Sequence, residues 1–547
     1  MPDRPRDPPS RRLGRRTFLG AGLASGSALL LAPRAASAAR AAAASPGPGI
    51  SYEEATVTEL QAAMAAGRFT AKGLARKYLD RIEAFDRSGP TLRAVIETNP
   101  DALAIADALD RERKEKGPRG PLHGIPVLVK DNLDTADRMQ TTAGSLALTG
   151  APGPARDAFV VERLRAAGAV LLGKTNLSEW ANFRSSHSTS GWSGRGGLTR
   201  NPYVLDRNAS GSSSGSAAAL AANLCAVAVG TETDGSVVSP ASVCGVVGVK
   251  PTVGLLSRAG IIPISASQDT AGPMARTVRD AAILLGAMAG ADPRDAATEA
   301  AGERAEKDYT RFLDAKALSG ARLGVLKNLL GQNASVDRVM AAAIEVLGAC
   351  GATLVEVELP SSAYEDAEQE VLLFEFKAGL NAYLAGRGGP VADLAALIDF
   401  DTRQRDREMP FFGHDLLVKA QAKGALDDTA YLAAREKCLR LSRSEGIDRA
   451  VAEQRLDAVV GPTDGPAWTT DLLNGDHYGV SSSTPPAVAG YPHVTVPAGL
   501  ASGLPVGLSF YGPAWTEPRL LALAYAFEQA THARRPPRFM KTLALQP

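Results

Sequence analysis

The chain has 547 residues, 45% hydrophobic and 22% charged, with a formal net charge of +1; this is globular composition on a chain long enough to bury a large core. The first 38 residues hold seven Arg and two Asp, a local net charge of +5 that leaves −4 on the remainder, a balance that offers no electrostatic footprint for nucleic acid. The four cysteines, Cys225, Cys244, Cys350 and Cys438, are too few and too scattered for a disulfide framework, and none forms a C-x-x-C pair that would suggest zinc.

Residues 1–38 read as a removable leader. Paired arginines lie in GRRTFLG (Gly14–Gly20), an apolar run too short to span a bilayer follows, and Ala36-Ser37-Ala38 supplies a small-residue cleavage site. The pattern resembles a twin-arginine export signal, so a secreted or periplasmic protein with no stable membrane insertion is expected. An Ala/Pro/Gly linker covers 39–50, and one large domain is expected over 51–547. Thr56 or Thr58 is placed to cap a helix over ELQAAMAAG, and Thr70 a second with Leu74, Tyr78, Ile82 and Phe85 on one face.

From Thr91 onward, short β-branched runs alternate with Ala/Leu/Arg helical stretches. The strand candidates are TLRAVIE, GIPVLVK, AVLLG, CAVAVG, RLGVL, TLVEVEL, LDAVVG, HVTVP and PVGLSFYG. Such alternation predicts an α/β fold, a mixed twisted sheet covered by helices on both faces. Residues 300–450 are more helical and charged, and read as an insertion over the sheet.

Two serines are candidate nucleophiles. GSSSG (Gly211–Gly215) matches the G-x-S-x-G elbow with Ser213 at its centre, but that elbow needs a strand before it, and the preceding NPYVLDRNAS is polar and turn-rich. Ser236 in GTETDGSVVSP lies just beyond CAVAVG, at a strand end where open α/β sheets collect functional groups. Gly235 leaves the backbone N–H groups of Thr233, Asp234, Gly235 and Ser236 free to turn toward one point, a nest suited to an oxyanion. Lys130 ends the apolar run GIPVLVK. A lysine buried there has its ammonium disfavoured and becomes an amine able to act as a base near neutral pH.

Lys130, the SGSSSGSAAALAA loop-helix and GTETDGSVVSPASVCGVVGVKPT together resemble the amidase signature family. The likeness runs from about Val57 to Phe539 and is most specific over 122–275, in AVAGYPHVTVPAG and in GLPVGLSFYG. Within the family, GTETDGS, FEFKAGL and the RRPPRF tail resemble bacterial peptide amidases, which hydrolyse the C-terminal amide of peptides. The resemblance implies Ser236 as nucleophile, Lys130 as base, and Ser212, 24 positions before Ser236, as the relay between them after a cis peptide bond. It also implies an acyl-enzyme and release of ammonia. Asp234 stands where most of the family has Gly, a departure that the peptide amidases share.

Trp192, Ser213 and Tyr491 are the candidates for lining the substrate cleft. Ser214 is assigned either to the relay or to turning the chain. His187 is a weaker candidate base, and Asp134 and Asp157 read as solvated turn residues. Small amides, peptide amides first, are the expected partners, and the protein a monomer or simple homo-oligomer. Neither metal nor organic cofactor is implied, since no nucleotide fingerprint or ligand spacing occurs. Four rivals remain: a broad aliphatic or aryl amidase, a component of a glutamyl-tRNA amidotransferase, a Ser-His-Asp hydrolase using Ser213 with His493 or His532, and an exported binding protein that keeps the fold without turnover.

Overall fold

The computed structural model describes residues 51–360 and 363–543. The expected leader and linker lie outside the described residues. Thr56 caps the first helix, Val57–Ala65, in a capping box with Glu59, and Thr70 caps the second, Ala71–Arg81. Each hydroxyl satisfies an N–H that the first helical turn leaves without a partner. Leu74, Tyr78 and Ile82 are buried along one face, while Phe85 is only partly covered.

Thirteen strands follow in chain order: β1 (Val95–Thr98), β2 (Pro126–Lys130), β3 (Val170–Thr175), the two-residue pair β4 (Trp192–Ser193) and β5 (Gly197–Leu198), β6 (Val227–Glu232), β7 (Val247–Lys250), β8 (Thr270–Ala275), β9 (Arg322–Leu326), β10 (Thr353–Val357), β11 (Ala458–Pro462), β12 (His493–Ala501) and β13 (Leu504–Tyr511). Eleven of them form one mixed sheet in the order β1-β3-β2-β6-β8-β7-β12-β13-β11-β9-β10. Strands β3, β2 and β6 run parallel to one another, as do β11, β9 and β10, and the intervening pairings are antiparallel.

Every residue of β2, β3, β6, β7, β8, β11 and β13 is buried. Side chains alternate between the two faces of a strand, so burial at every position means that both faces are covered. The expected α/β class therefore holds. All nine proposed strands exist; β7 and β8 of the main sheet and the short pair β4 and β5 were not anticipated. Residues 300–450 are mostly helical, but β9 and β10 within them extend the edge of the main sheet, so this stretch is more than an insertion lying over it.

The Ser/Gly cluster leads into a helix, Ser214–Ala221, whose residues are all buried. It packs against β2, β3, β6 and β8. Its small side chains permit that approach: a Cβ on Gly215 would lie 2.3 Å from the Ala94 carbonyl oxygen and 2.4 Å from that of Asn176. The cluster is a close-packed core element. All four cysteines are free, and among the described residues no helix is long and apolar enough to cross a membrane.

Candidate active site

The site forms at the C-terminal ends of the neighbouring parallel strands β2 and β6. Val129 pairs with Val229, which brings Lys130 alongside the last residues of β6. Lys130 is fully buried. Its Nζ lies 2.7 Å from Ser212 Oγ, 2.9 Å from Thr231 Oγ1 and 3.2 Å from the Thr231 carbonyl oxygen. Burial removes the ammonium's hydration and outweighs the attraction of Asp269 and Glu232, pulling the Lys130 pKa down to about 7. A neutral amine has two hydrogens and one lone pair. The hydrogens go to the two Thr231 acceptors, and the lone pair is left for the Ser212 hydroxyl.

Ser212 follows a cis Gly211–Ser212 peptide bond. Its loop is held on three sides. Ser178 N–H donates to the Ser212 carbonyl oxygen at 3.1 Å, Ser213 N–H donates to the Ser236 carbonyl oxygen at 3.1 Å, and the Ser210 and Ser239 hydroxyls meet at 2.7 Å. Gly211 cannot carry a side chain here, since a Cβ would fall 2.3 Å from Ser178 Oγ.

Beyond β6 the chain turns through Thr233–Ser236, with Gly235 at φ +75°. Glu232 pins the far side of the turn: its Oε2 accepts from the N–H groups of Val237 and Val238 at 2.8 and 3.0 Å, at the start of the helix Val238–Val243. On the near side, Thr233 Oγ1 donates to Asp269 at 2.6 Å, and Asp269 also accepts from Ile264 and Ser265 N–H. The backbone N–H groups of Thr233, Asp234, Gly235 and Ser236 donate to no acceptor among the described residues. Ser236 is 7% exposed, and its hydroxyl likewise makes no hydrogen bond. No hydrogen bond joins the Ser212 and Ser236 hydroxyls. The site thus assembles a buried amine with a lowered pKa, a hydroxyl bound to it, a second free hydroxyl and a set of free N–H donors, which are the parts that acyl substitution at a carbonyl needs.

A cavity of about 490 Å³ opens beside Gly211 and Gly235, and its other walls include Asn182, Leu372, Tyr478, Asp464, Glu365 and Glu368. None of the three residues expected to line the cleft does so. Trp192 packs edge-on against Phe411 and Phe412 beneath the Arg184 guanidinium, and borders a different surface hollow. Tyr491 sends its hydroxyl to Asp448 at 3.0 Å. Ser213 is fully buried and braces β6, donating to the Thr231 carbonyl at 3.1 Å and accepting from Thr231 N–H at 3.2 Å. Ser214 bonds back to the Ser210 carbonyl.

The histidine reading finds no support in the geometry. His187 and His532 are exposed, and His493 is buried with its Nε2 at 2.6 Å from Ser509 Oγ. Asp134 is not solvated, as expected, but buried against the Tyr383 hydroxyl, and burial raises its pKa to about 6. Asp157 is partly buried and ion-paired to Arg165 at 2.8 Å. Among the described residues no group of His, Cys, Asp and Glu is placed to hold a metal ion.

Residues 74–521 match the family model described as Amidase. The native peptide amidase of Stenotrophomonas maltophilia, a solved structure, is 55% identical with a TM-score of 0.86, covering 89% of this chain and 99% of that one. A protein of Arabidopsis thaliana described as a probable amidase is 45% identical over 90% of this chain and 92% of its own length. One component of the glutamyl-tRNA(Gln) amidotransferase of Alkalilimnicola ehrlichii is 37% identical over 88% of this chain and 98% of its own length. With the family model spanning most of the chain and the fold matching throughout, this chain belongs to the amidase signature family and is an amide-hydrolysing enzyme.

Proposed function

We propose that this enzyme removes the C-terminal amide of peptides as ammonia, through a Ser236 acyl-enzyme served by a Ser212–Lys130 proton relay. The observation that carries the mechanism is the buried Lys130 amine, with a pKa of about 7, at 2.7 Å from Ser212 Oγ. The choice of peptide carboxamides is supported by the 55% identity to a peptide amidase over nearly its whole length.

In the first half-reaction the Ser236 side chain turns its hydroxyl onto Ser212. Lys130 takes the Ser212 proton as Ser212 takes that of Ser236, and Ser236 Oγ bonds to the amide carbon. The oxyanion is held by N–H groups of residues 233–236. The C–N bond then breaks, and the proton returns through Ser212 to the departing nitrogen, which leaves as ammonia. Water adds to the acyl carbon while its proton passes to the relay, the bond to Ser236 Oγ breaks, and the peptide acid departs. We further propose that residues 1–38 direct export by the twin-arginine route, a reading supported by Arg15-Arg16 and the Ala36-Ser37-Ala38 site.

The test is ammonia release from an N-acetyl dipeptide amide, set beside release of aniline from simple acyl anilides. Preferred cleavage of the dipeptide amide, lost by at least about a thousand-fold in Ser236→Ala with thermal unfolding unchanged, is the expected result. Anilides cleaved equally fast would replace the peptide reading with a broad amidase, and an active Lys130→Met variant would overturn the relay.

A further inference from the structure

The cavity beside the Ser236 turn is walled by four carboxylates, Asp234, Glu365, Glu368 and Asp464. No Lys or Arg forms an ion pair with any of them among the described residues; Lys250, buried behind Asp234, sends its Nζ to the carbonyls of Pro251 and Tyr491. Asp464 is fully engaged, accepting from Ser239 Oγ and Gly465 N–H. The others are not. Glu368 is only 7% exposed, and its Oε1 accepts from Gln268 Nε2 at 2.8 Å, while its Oε2 has no hydrogen-bond partner among the described residues and its side chain forms part of the cavity wall. Asp234 accepts from Thr484 Oγ1 at 2.7 Å through Oδ2, and its buried Oδ1 has no partner. Glu365 lies one turn before Glu368 on the helix Glu365–Arg387, at the exposed rim.

An unpartnered Glu368 oxygen in the cavity wall, beside the Asp234 carboxylate and with Glu365 at the exposed rim, costs free energy unless a positive group or a proton completes the cluster. Burial and the neighbouring charges of Asp234 and Glu365 push the Glu368 pKa well above the usual range, as expected for carboxylates crowded together without a counter-ion. The nitrogen leaving group of a primary amide is only ammonia, so whatever fills a cavity of about 490 Å³ beside the reacting carbon belongs to the acyl portion of the substrate. That volume suits a dipeptide-sized group.

We propose that Asp234, Glu368 and Glu365 form a subsite for an ammonium group carried by the acyl portion of the substrate, so that the enzyme prefers cationic peptide amides. This rests on the hydrolysis of peptide amides proposed above. The ammonium is either the free α-amino terminus of a short peptide amide or the side chain of a lysine within it; the chemistry is common to both, and the test separates them.

Three dipeptide amides of matched size are compared at pH 7: one with a free N-terminus, its N-acetyl counterpart, and an N-acetyl amide bearing a lysine side chain. The wild type is expected to show a kcat/KM at least about ten-fold higher for one or both cationic amides than for the neutral one, carried mainly by KM. Glu368→Gln is expected to shrink that ratio about ten-fold, and Glu365→Gln, exposed and harmless to the core, about three-fold. Which cationic amide gains shows which ammonium is held. A wild type with no preference, or a preference that both variants retain, overturns the subsite. Should none of the amides release ammonia, the hydrolytic reading fails by itself. Calorimetric Kd values for the free and acetylated amides on wild type and Glu365→Gln then decide the subsite: tighter binding of the free amide that Glu365→Gln weakens upholds it, and equal binding of the two overturns it.

Discussion

Replacing Thr231 by Val removes one of the two acceptors that hold the Lys130 amine and keeps the shape of a buried strand residue. Thr231 Oγ1 lies 2.9 Å from Nζ, and the same oxygen accepts from Asn132 Nδ2 at 2.9 Å. A hydrogen bond from an ammonium is worth about 1.5–3 kcal/mol, against about 1 kcal/mol from a neutral amine. Losing the acceptor therefore penalises the protonated form by about 1 kcal/mol more than the neutral one. At 1.36 kcal/mol per pKa unit, that lowers the Lys130 pKa by about 0.7 unit. On the proposed relay the base works unprotonated, so wild-type activity is expected to rise with pH through about 7. In Thr231→Val the same rise moves to lower pH, while the plateau falls because the amine is less well aimed. The assay is kcat/KM for a neutral N-acetyl dipeptide amide from pH 5 to 9, a substrate with no titrating amine. Asp269, with a pKa raised to about 6 by burial, is a neighbouring group able to impose a limb, and the substitution leaves its own contacts with Thr233, Ile264 and Ser265 in place. An acid limb that stays put or moves upward would refute the assignment of that limb to Lys130.

Three further outcomes follow from the geometry. Gly215→Ala sets a methyl group against two backbone carbonyls that cannot yield, and should cost about 3 kcal/mol or more in urea unfolding; a cost under about 1 kcal/mol would mean the helix is not seated as described. Arg184→Met leaves Glu179, its buried partner at 2.6 Å, without a counter-ion, and should destabilise by about 3–5 kcal/mol, with Glu179→Gln in the same chain restoring part of the loss. Glu232→Gln weakens the two bonds that pin Val237 and Val238, so kcat should fall at least about ten-fold with KM little changed; an equal fall in substrate binding would argue against a role in shaping the turn.

The strands were legible because parallel strands buried on both faces write themselves as short apolar runs, such as PVLV in β2 and VLL in β3. Strand β8, TAGPMA, escaped because a Gly and a Pro in its middle erase that signal, and β7 because Gly248 breaks a run of only four residues. Lys130 and the turn at Ser236 stood out because each lies at a strand end, whereas Ser212 came only from the resemblance to the amidase signature family; the motif itself pointed to Ser213. The cavity did not stand out. Its walls come from residues as far apart as Asn182, Glu368 and Tyr478, and nothing local marks Glu368 as different from the other acidic residues at the start of its helix. Trp192 shows the converse error: an aromatic in a glycine-rich loop suggests a ligand, but Phe411 and Phe412, more than 200 positions away, fill that role. Thr231 was missed inside a quoted motif because only the pairing of β2 with β6 reveals that it faces the lysine.

The helix Glu365–Arg387 supplies Glu365, Glu368 and Leu372 to the cavity, yet contributes no atom to the Lys130–Ser212 pair. It is moored to the segment before β8 through Glu375, which accepts from the Ser265 and Ser267 hydroxyls and from Ser267 N–H. In the proposed subsite this helix contributes Glu365 and Glu368 from outside the catalytic turn, and Asp234, within residues 233–236, is where selectivity and chemistry meet. Exchanging the first two turns of that helix between homologues should transplant substrate preference alone, whereas changes at the Glu375 mooring would disturb both.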